Sequence, residues 1–128
     1  MYKSLIVDDE PMICMGIKMM VNWEAYQITE IQVAHNGEEA LELIKKEAPQ
    51  LLITDIKMPK MDGIQLVKAV RELGLDIHIL VLSGYDDFEY VRTMMVHGIE
   101  NYLLKPVNEE ELDANVRSIV EKTRWQST

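Results

Sequence analysis

Apolar residues are concentrated in five short runs along the chain, and each run is short enough to form one β-strand. The runs cover residues 2–7, 28–34, 51–54, 77–82 and 102–104. Three of them, around Leu5, Leu52 and Leu80, are continuously apolar, as expected for a parallel sheet covered by helices on both faces. The second run alternates more between apolar and polar residues, which predicts that it forms an edge strand.

Segments with helical spacing lie between and after these runs. They cover residues 11–21, 38–47, 64–73, 87–96 and 109–122. Pro11 suits a first helical turn, and Asp62 and Asn108 are candidate N-caps. Gly74 and Gly98 stand where a left-handed C-terminal cap is expected. The order βαβαβαβαβα predicts an α/β fold, a doubly wound parallel sheet with helices on both faces.

The composition indicates one ordinary globular domain. Of the 128 residues, 48% are hydrophobic and 27% are charged, as in typical folded proteins. Acidic residues outnumber basic ones 22 to 13, giving a net charge of −9. This charge opposes a phosphate backbone, so we expect no nucleic-acid binding by this segment itself. We predict one domain over residues 1–122 and, over 123–128, a polar tail or the start of a linker.

The chain carries no sign of membrane insertion or secretion. No apolar run approaches the roughly 20 residues that a membrane-spanning helix needs. Residues 1–4 (MYKS) lead straight into a short strand and not into the apolar core of a signal peptide. The single cysteine, Cys14, has no disulfide partner in the chain. We therefore predict a cytoplasmic protein with Cys14 in its core. We also predict core packing for two methionine stripes, which contain Met12, Met15 and Met19, and Met94 and Met95.

Polar side chains follow four of the five predicted strands. They are Asp8-Asp9-Glu10 after the first, Asp55 after the third, Ser83-Gly84 after the fourth and Lys105-Pro106 after the fifth. Taken alone, each group could cap a helix or open a turn. In a doubly wound sheet, however, ligands bind at the carboxyl ends of the strands. The four groups together predict a site with carboxylates, a hydroxyl and an ammonium on one rim.

The chemistry of this rim favours a hard cation and phosphoryl transfer. Converging carboxylates repel one another unless a cation joins them, and oxygen ligands favour Mg²⁺. The three histidines do not follow these four strands and show no zinc spacing. A carboxylate beside Mg²⁺ can attack phosphorus. Asp55 stands alone after the third run and is the candidate nucleophile, whereas Asp8 and Asp9 are suited to holding the ion.

These residues resemble the signature of receiver domains from bacterial two-component response regulators. The motifs that carry the resemblance are Asp8-Asp9-Glu10, the stretch 55–63 (DIKMPKMDG), Leu82-Ser83-Gly84 and Lys105-Pro106. Their order and spacing match over essentially the whole chain. The resemblance implies a flavodoxin-like five-stranded sheet of order 2-1-3-4-5. It also implies a phosphoryl group accepted on Asp55 from a sensor histidine kinase, so that the protein is a signalling switch and not an enzyme.

The resemblance also implies roles for the residues around the acceptor. Asp9 would bind Mg²⁺ directly and Asp8 mostly through water, with Asp55 and the backbone carbonyl of Lys57 as further ligands. Lys105 would pair with a phosphoryl oxygen. The next residue, Pro106, would follow a cis peptide bond, a geometry that X-Pro bonds adopt readily.

The implied switch involves two further residues. Ser83 would hydrogen-bond the phosphoryl group and draw the fourth strand's loop inward, and Tyr102 would then rotate into the vacated space. Lys57 and Tyr85 occupy positions that influence the lifetime of the phosphoryl group in this family. The receiver would promote its own phosphotransfer and its own dephosphorylation.

A narrower likeness concerns the output. The stretches 83–90 (SGYDDFEY) and 102–107 (YLLKPV) are similar to receivers joined to AraC-type helix-turn-helix domains. We therefore expect a DNA-binding domain to follow residue 128 in the full-length protein, so that DNA is bound through that domain. Activation is expected to alter pairing with another receiver, with a homodimer as the main consequence. The alternative is a stand-alone receiver that relays phosphate or signals by protein contacts.

Three other functions share parts of this pattern. A haloacid-dehalogenase-like phosphatase also uses an aspartate nucleophile with Mg²⁺, but it needs a second acid two residues later, where this chain has Lys57. A pseudo-receiver would lack some of the acids, the hydroxyl or the lysine, whereas this chain has all of them. A flavodoxin-like electron carrier needs a phosphate-binding loop after the first strand, where Asp8 and Asp9 would repel phosphate.

Overall fold

Five parallel strands form a single sheet in the computed structural model, which describes residues 2–123. The strands are β1 (Tyr2–Val7), β2 (Ile28–Ala34), β3 (Leu51–Asp55), β4 (His78–Ser83) and β5 (Asn101–Leu104). Their order across the sheet is β2-β1-β3-β4-β5. This order confirms the predicted fold class, and it places the more alternating strand β2 at an edge.

Five α-helices connect and follow these strands. They are α1 (Pro11–Met20), α2 (Gly37–Lys46), α3 (Gly63–Glu72), α4 (Phe88–Met95) and α5 (Glu109–Thr123). A short 3-10 helix over Trp23–Tyr26 was not predicted. The tail predicted for 123–128 lies outside the described residues, except that Thr123 ends α5. Within residues 2–123 no helix has the length and apolar character that crossing a bilayer requires.

The helix ends follow the predicted local signals. The Asp62 side chain accepts a hydrogen bond from the Gln65 backbone N–H at 2.9 Å, and the Gln65 side chain accepts one from the Asp62 N–H at 3.0 Å. This reciprocal pair is a capping box that fixes the start of α3. The side chain of Asn108 caps α5 by accepting a hydrogen bond from the Glu111 N–H at 2.8 Å.

The core has two layers, one on each face of the sheet. Helices α2, α3 and α4 contribute buried residues to one layer, together with Leu5, Val7 and Leu52. Helices α1 and α5 contribute to the other layer, which includes Ile6 and Ile53. Successive strand residues therefore point to opposite layers, and both layers are apolar. This explains why the central strands read as continuous apolar runs.

The prediction that both methionine stripes pack in the core is wrong for most of their members. Helix α1 contacts the sheet through Cys14 and Ile17, which are buried. The exposed members of the stripes are Met12, Met15, Met19 and Met95, whereas Met94 is fully buried. Because α1 is apolar around most of its circumference, its methionines did not indicate which face is buried.

Close backbone contacts position the loop after β3. The Gly63 N–H donates to the Ile56 carbonyl at 2.7 Å. A Cβ atom on Gly63 would lie 2.2 Å from the backbone oxygen of Asp55, so only glycine fits there. This contact brings the start of α3 against the end of β3. The loop 56–62, between β3 and α3, is thereby folded over the carboxyl end of the sheet.

Candidate functional site

Three aspartates meet at the carboxyl end of the sheet. Asp8 follows β1, Asp9 comes next, and Asp55 is the last residue of β3. One carboxylate oxygen from each of the three lies within 4.8 Å of the other two. Asp8 is fully buried and Asp55 is nearly so, whereas Asp9 is exposed. The structure therefore brings together the acids whose convergence the strand ends predicted.

Backbone N–H groups hold the two buried carboxylates. Oδ1 of Asp8 accepts a hydrogen bond from the Glu10 N–H at 2.9 Å. Oδ1 of Asp55 accepts one from the Ile56 N–H at 2.8 Å. Each aspartate thus has one oxygen fixed by the chain that follows its strand. The second oxygen of each is left to interact with other side chains.

Lys105 occupies the space between these second oxygens. Its Nζ lies 3.0 Å from Oδ2 of Asp8 and 3.1 Å from Oδ2 of Asp55. Burial of the ammonium lowers its pKa, but the bonds to the two carboxylates outweigh burial, and the pKa of Lys105 is raised. Lys105 is therefore a cation at neutral pH. The peptide bond between Lys105 and Pro106 is cis.

One ammonium does not neutralise three carboxylates. Burial raises the pKa of Asp55, and the nearby charge of Asp8 raises it further, against the opposing effects of Lys105 and the Ile56 N–H. The site therefore retains an excess of negative charge. Its donors are all oxygen atoms, and one of them is exposed to solvent. This donor set fits Mg²⁺, which combines a few carboxylates with water ligands.

Ser83 lies at the end of β4, next to this cluster in the sheet. It follows Leu82, the residue that pairs in register with Asp55. Its Oγ is buried and has no hydrogen-bond partner within residues 2–123. A buried hydroxyl without a partner is costly, so Ser83 is available to a group that enters the site.

Tyr102 shares a cleft with Ser83. The cleft has a volume of about 220 Å³ and is also lined by residues of the β4–α4 connection and of α4. Tyr102 is half-buried in β5 and pairs in register with Val81. The two residues to which the resemblance assigns switching therefore line one open space.

Lys57 does not point its side chain at the carboxylates. Its ammonium lies 3.1 Å from Oδ1 of Asp87 and 3.8 Å from Oδ1 of Asp86, both in the connection from β4 to α4. For metal binding, the resemblance involved only the backbone carbonyl of Lys57. Sequence reasoning missed Asp87, because Asp86 and Asp87 are adjacent acids and nothing in their order shows which one is buried.

Two contacts to the backbone of Asp8 were also missed. Nδ1 of His35 lies 3.1 Å from the Asp8 carbonyl oxygen, and the Cys14 thiol donates to the same oxygen at 3.5 Å. Burial raises the pKa of Cys14 to about 11, which keeps it a thiol. The position of His35 directly after β2 was the sequence signal that could have placed its side chain at this edge of the sheet. Both side chains support the loop that carries Asp8 and Asp9.

Response regulators share this sequence pattern and this fold. Residues 4–117 match the family described as the response regulator receiver domain. The uncharacterized transcriptional regulatory protein YesN of Bacillus subtilis is 40% identical over 126 residues, which are 98% of this chain and 34% of YesN. The transcriptional regulatory protein HptR of Staphylococcus aureus is 40% identical over 120 residues, 94% of this chain and 47% of HptR.

Solved structures give the same result. The REC domain of AraT, a response regulator from Geobacillus stearothermophilus, superposes with a TM-score of 0.92 at 35% identity, covering 99% of this chain and 98% of that one. The two-component transcriptional regulator AraC from Clostridium phytofermentans superposes with a TM-score of 0.87 at 34% identity, with both chains fully covered. The chain spans between a third and a half of the curated relatives named above. It belongs to the response regulator receiver domain family.

Proposed function

We propose that this receiver accepts a phosphoryl group on Asp55 from the phosphohistidine of a sensor histidine kinase. The observation that carries the proposal is the cluster of Asp8, Asp9 and Asp55, in which Lys105 pairs with Asp8 and Asp55, with the unpartnered hydroxyl of Ser83 at the end of the neighbouring strand. Asp55 is the acceptor because it ends the central strand β3. Asp8 is fully enclosed, so it cannot meet a donor.

The transfer follows from the arrangement of the Asp55 oxygens. Oδ1 is held by the Ile56 N–H, which leaves Oδ2 as the nucleophile. Oδ2 attacks phosphorus, a P–O bond forms, and the P–N bond to the donor imidazole breaks as the ring leaves. The ammonium of Lys105 is already 3.1 Å from Oδ2, so it can bind a phosphoryl oxygen and offset charge without a large movement.

The carboxylates of Asp8, Asp9 and Asp55 and the backbone carbonyl of Lys57 would hold Mg²⁺. When bound, the ion supplies charge neutralisation at the phosphoryl oxygens. The residues themselves supply position: Asp8 and Asp55 are fixed by backbone N–H groups, and exposed Asp9 stands at the solvent side. The same site would let water attack the acyl phosphate later, so that the receiver promotes its own dephosphorylation.

Phosphorylation with a small acyl phosphate tests this proposal. The protein is incubated with acetyl phosphate in Mg²⁺ or in excess chelator, and the modified residue is mapped by mass spectrometry. We expect an adduct on Asp55 that requires Mg²⁺ and is absent from Asp55→Ala. Equal labelling in chelator would remove the metal from the proposal, and full labelling of Asp55→Ala would reassign the nucleophile.

The signal would pass from Ser83 to Tyr102. A phosphoryl group on Asp55 gives the buried Ser83 hydroxyl a partner, which draws the end of β4 inward. The two residues line one cleft of about 220 Å³, so Tyr102 has space into which to rotate. The surface formed by α4, β5 and α5 would change as a result, and pairing with a second receiver would change with it.

We further propose that the switch controls transcription through a DNA-binding domain following residue 128. Support comes from the matched transcriptional regulators, of which this chain covers 34% and 47%, and from the net charge of −9, which opposes DNA binding by the receiver. The kinase partner and a cytoplasmic location belong to the same proposal. A stop codon directly after residue 128 in the native gene would instead favour the stand-alone relay.

The phosphatase alternative finds no support in the site. It needs an acid two residues after the nucleophile, and Lys57 at that position directs its ammonium away to Asp87. The match to the receiver family over residues 4–117 also disfavours it.

A further inference from the structure

Lys57 connects the two loops that border the acceptor. It lies in the loop 56–62 after Asp55, and its ammonium reaches the loop 84–87 after Ser83, where it lies 3.1 Å from Oδ1 of Asp87. The ammonium also lies 5.5 Å from the ring centre of Tyr90 in α4, a distance at which a cation is attracted to an aromatic face. We call the ion pair the Lys57–Asp87 bridge.

Asp87 ties this bridge to the residue next to Ser83. Its Oδ2 accepts a hydrogen bond from the Gly84 N–H at 2.6 Å, and its own N–H donates to the Gly84 carbonyl at 3.2 Å. A Cβ atom on Gly84 would lie 3.1 Å from Oδ2 of Asp87. The loop 84–87 is therefore closed on itself, and Ser83 is covalently joined to its first residue.

The bridge matters because Asp87 is buried. Only 5% of its side chain is exposed, against 79% for its neighbour Asp86. A buried carboxylate needs a compensating charge, and Lys57 is the cation that ion-pairs with it. The hydrogen bond and charge of Asp87 raise the pKa of Lys57, so the Lys57 ammonium is charged at neutral pH. Removing the ammonium would favour loop conformations in which Asp87 reaches water.

We propose that Lys57 and Asp87 are positioning residues whose bridge holds the loop 84–87, and with it Ser83, in the resting arrangement. The inference rests on the proposed function, because it assumes that Ser83 moves toward a phosphoryl group on Asp55. That movement draws Gly84 away from Asp87 and breaks the closed loop. The bridge therefore opposes activation, and Lys57 acts through Asp87 instead of on the phosphoryl group itself.

Binding of a phosphoryl mimic can tell whether Lys57 acts through Asp87 or on the phosphoryl group itself. Beryllofluoride with Mg²⁺ is titrated into the protein, and saturation is followed through the amide NMR signals of Gly84 and of the residues around Asp55. While the resting state predominates, a variant that shifts the equilibrium toward the activated state by some factor lowers the half-saturating beryllofluoride concentration by that factor. For a partly exposed ion pair, we expect Lys57→Gln and Asp87→Asn each to lower it about two- to five-fold. Asparagine keeps an oxygen that can accept from Gly84.

The double variant and three matched variants make the test specific. If the two residues act as one bridge, the effect of Lys57→Gln/Asp87→Asn should be smaller than the sum of the two single effects. Lys60→Gln in the same loop and Asp76→Asn, which has no contact with Lys57 in the ion pairs of the described residues, carry the same charge changes at exposed positions and should match wild type. Lys57→Arg keeps the cation and should lower the half-saturating concentration less than Lys57→Gln does.

The outcomes distinguish this inference from the proposed function. If the wild-type receiver does not bind beryllofluoride in Mg²⁺, the proposed function fails first. If wild type binds but the single variants do not differ from it, or need more beryllofluoride, the bridge does not restrain activation. Additive effects in the double variant would show that Lys57 acts on the phosphoryl group independently of Asp87, which would also overturn the inference.

Discussion

At the scale of single residues, the site is a group of charges that do not balance. Asp8, Asp9 and Asp55 lie together, and one close ammonium, that of Lys105, pairs with Asp8 and Asp55. Burial and the charge of Asp8 raise the pKa of Asp55, so ionising Asp55 costs more in the folded protein than in the unfolded chain. Removing that charge or adding a cation should therefore stabilise the fold.

The first prediction concerns Asp55→Asn without metal. Because the pKa of Asp55 is raised by folding, its ionised form destabilises the fold above that pKa, and the penalty disappears as the pH falls and Asp55 is protonated. We expect the variant to increase the free energy of unfolding at pH 7 by on the order of 1 kcal/mol. Denaturant unfolding in chelator at pH 7 and in mild acid measures the difference.

The control for this prediction is Asp76→Asn, which removes a charge from an exposed aspartate and should leave stability nearly unchanged at both pH values. Mg²⁺ should raise the stability of wild type more than that of Asp55→Asn, since the variant has lost one ligand. A variant less stable than wild type at pH 7 would show that the Lys105 pair outweighs the repulsion.

The second prediction separates chemistry from switching. Ser83→Ala and Lys105→Ala leave the Asp55 nucleophile in place, so we expect both variants to be labelled by acetyl phosphate, more slowly than wild type. Neither should transmit the signal, because they lack the groups that bind the phosphoryl oxygens. Amide NMR shifts of α4 and β5 on adding beryllofluoride check this. A wild-type pattern of shifts in either variant would contradict the switch assignment.

The positions of the acids could be predicted from the sequence because the residues that follow parallel strands lie at one edge of the sheet. Asp8 and Asp55 could be placed together on that basis alone. The direction of the Lys57 side chain could not be predicted in this way, since the tertiary structure decides which partner a long flexible side chain contacts. The same holds for Asp87, whose burial is decided by the turn at Gly84 and not by its sequence neighbours.

At the scale of secondary-structure elements, a polar cluster fastens the opposite end of the sheet. Oε2 of Glu100 lies 2.8 Å from Nδ1 of His78, the first residue of β4, and Oε1 accepts from Nζ of Lys122 in α5 at 3.0 Å. Burial raises the pKa of Glu100, but the bonds to His78 and Lys122 outweigh burial, and the pKa is lowered. The last turns of α5 are thereby tied to the sheet.

The third prediction is that Glu100→Gln destabilises the domain at neutral pH. The lowered pKa means that the ionised carboxylate contributes stability above its ordinary pKa of 4.5, and that this contribution is lost as the pH falls through the folded-state pKa. We expect a loss of about 1 kcal/mol at pH 7 that disappears in acid. Thermal unfolding across this pH range measures it, with exposed Glu42→Gln as control. A pH-independent loss would indicate a packing defect.

The elements themselves were largely predictable. Every predicted strand and helix exists, and each boundary lies within one residue of its prediction, because caps such as Asp62 and Asn108 mark helix starts through local hydrogen bonds. The 3-10 helix at Trp23–Tyr26 was missed. Its stability comes from distant contacts, including the hydrogen bond from the Tyr26 hydroxyl to Asp113 in α5 at 2.8 Å.

At the scale of the whole molecule, the sheet order could be inferred only through the resemblance. The alternation of strands and helices implies right-handed crossovers, yet several strand orders satisfy that rule. The motifs at the strand ends selected the order 2-1-3-4-5, and the structure has it. Surface properties were harder to predict from the sequence, because the pattern of an apolar helix such as α1 does not show which side chains are exposed to water.

The surface around α4 and β5 combines large apolar side chains with the proposed switch. Phe88 is 64% exposed and Val96 is 82% exposed, and Leu104 in β5 is 53% exposed. Exposed apolar groups beside a moving element are suited to a contact that forms in one state only. The net charge of −9 opposes self-association in the resting state. Activation must therefore improve the fit of this surface for a dimer to form.

The fourth prediction is that beryllofluoride with Mg²⁺ converts the receiver from monomer to dimer through this surface. Light scattering should show the mass doubling for wild type. Phe88→Gln removes a large apolar contact without touching the acceptor, so it should weaken the activated dimer at least ten-fold, as expected for a central aromatic contact worth on the order of 2 kcal/mol. Met19→Gln changes another exposed apolar residue, on α1, and should dimerise as wild type does. An equal loss of dimer affinity in both variants would place the interface elsewhere. A wild type that stays monomeric when saturated with beryllofluoride would confine the switch to contacts with another domain.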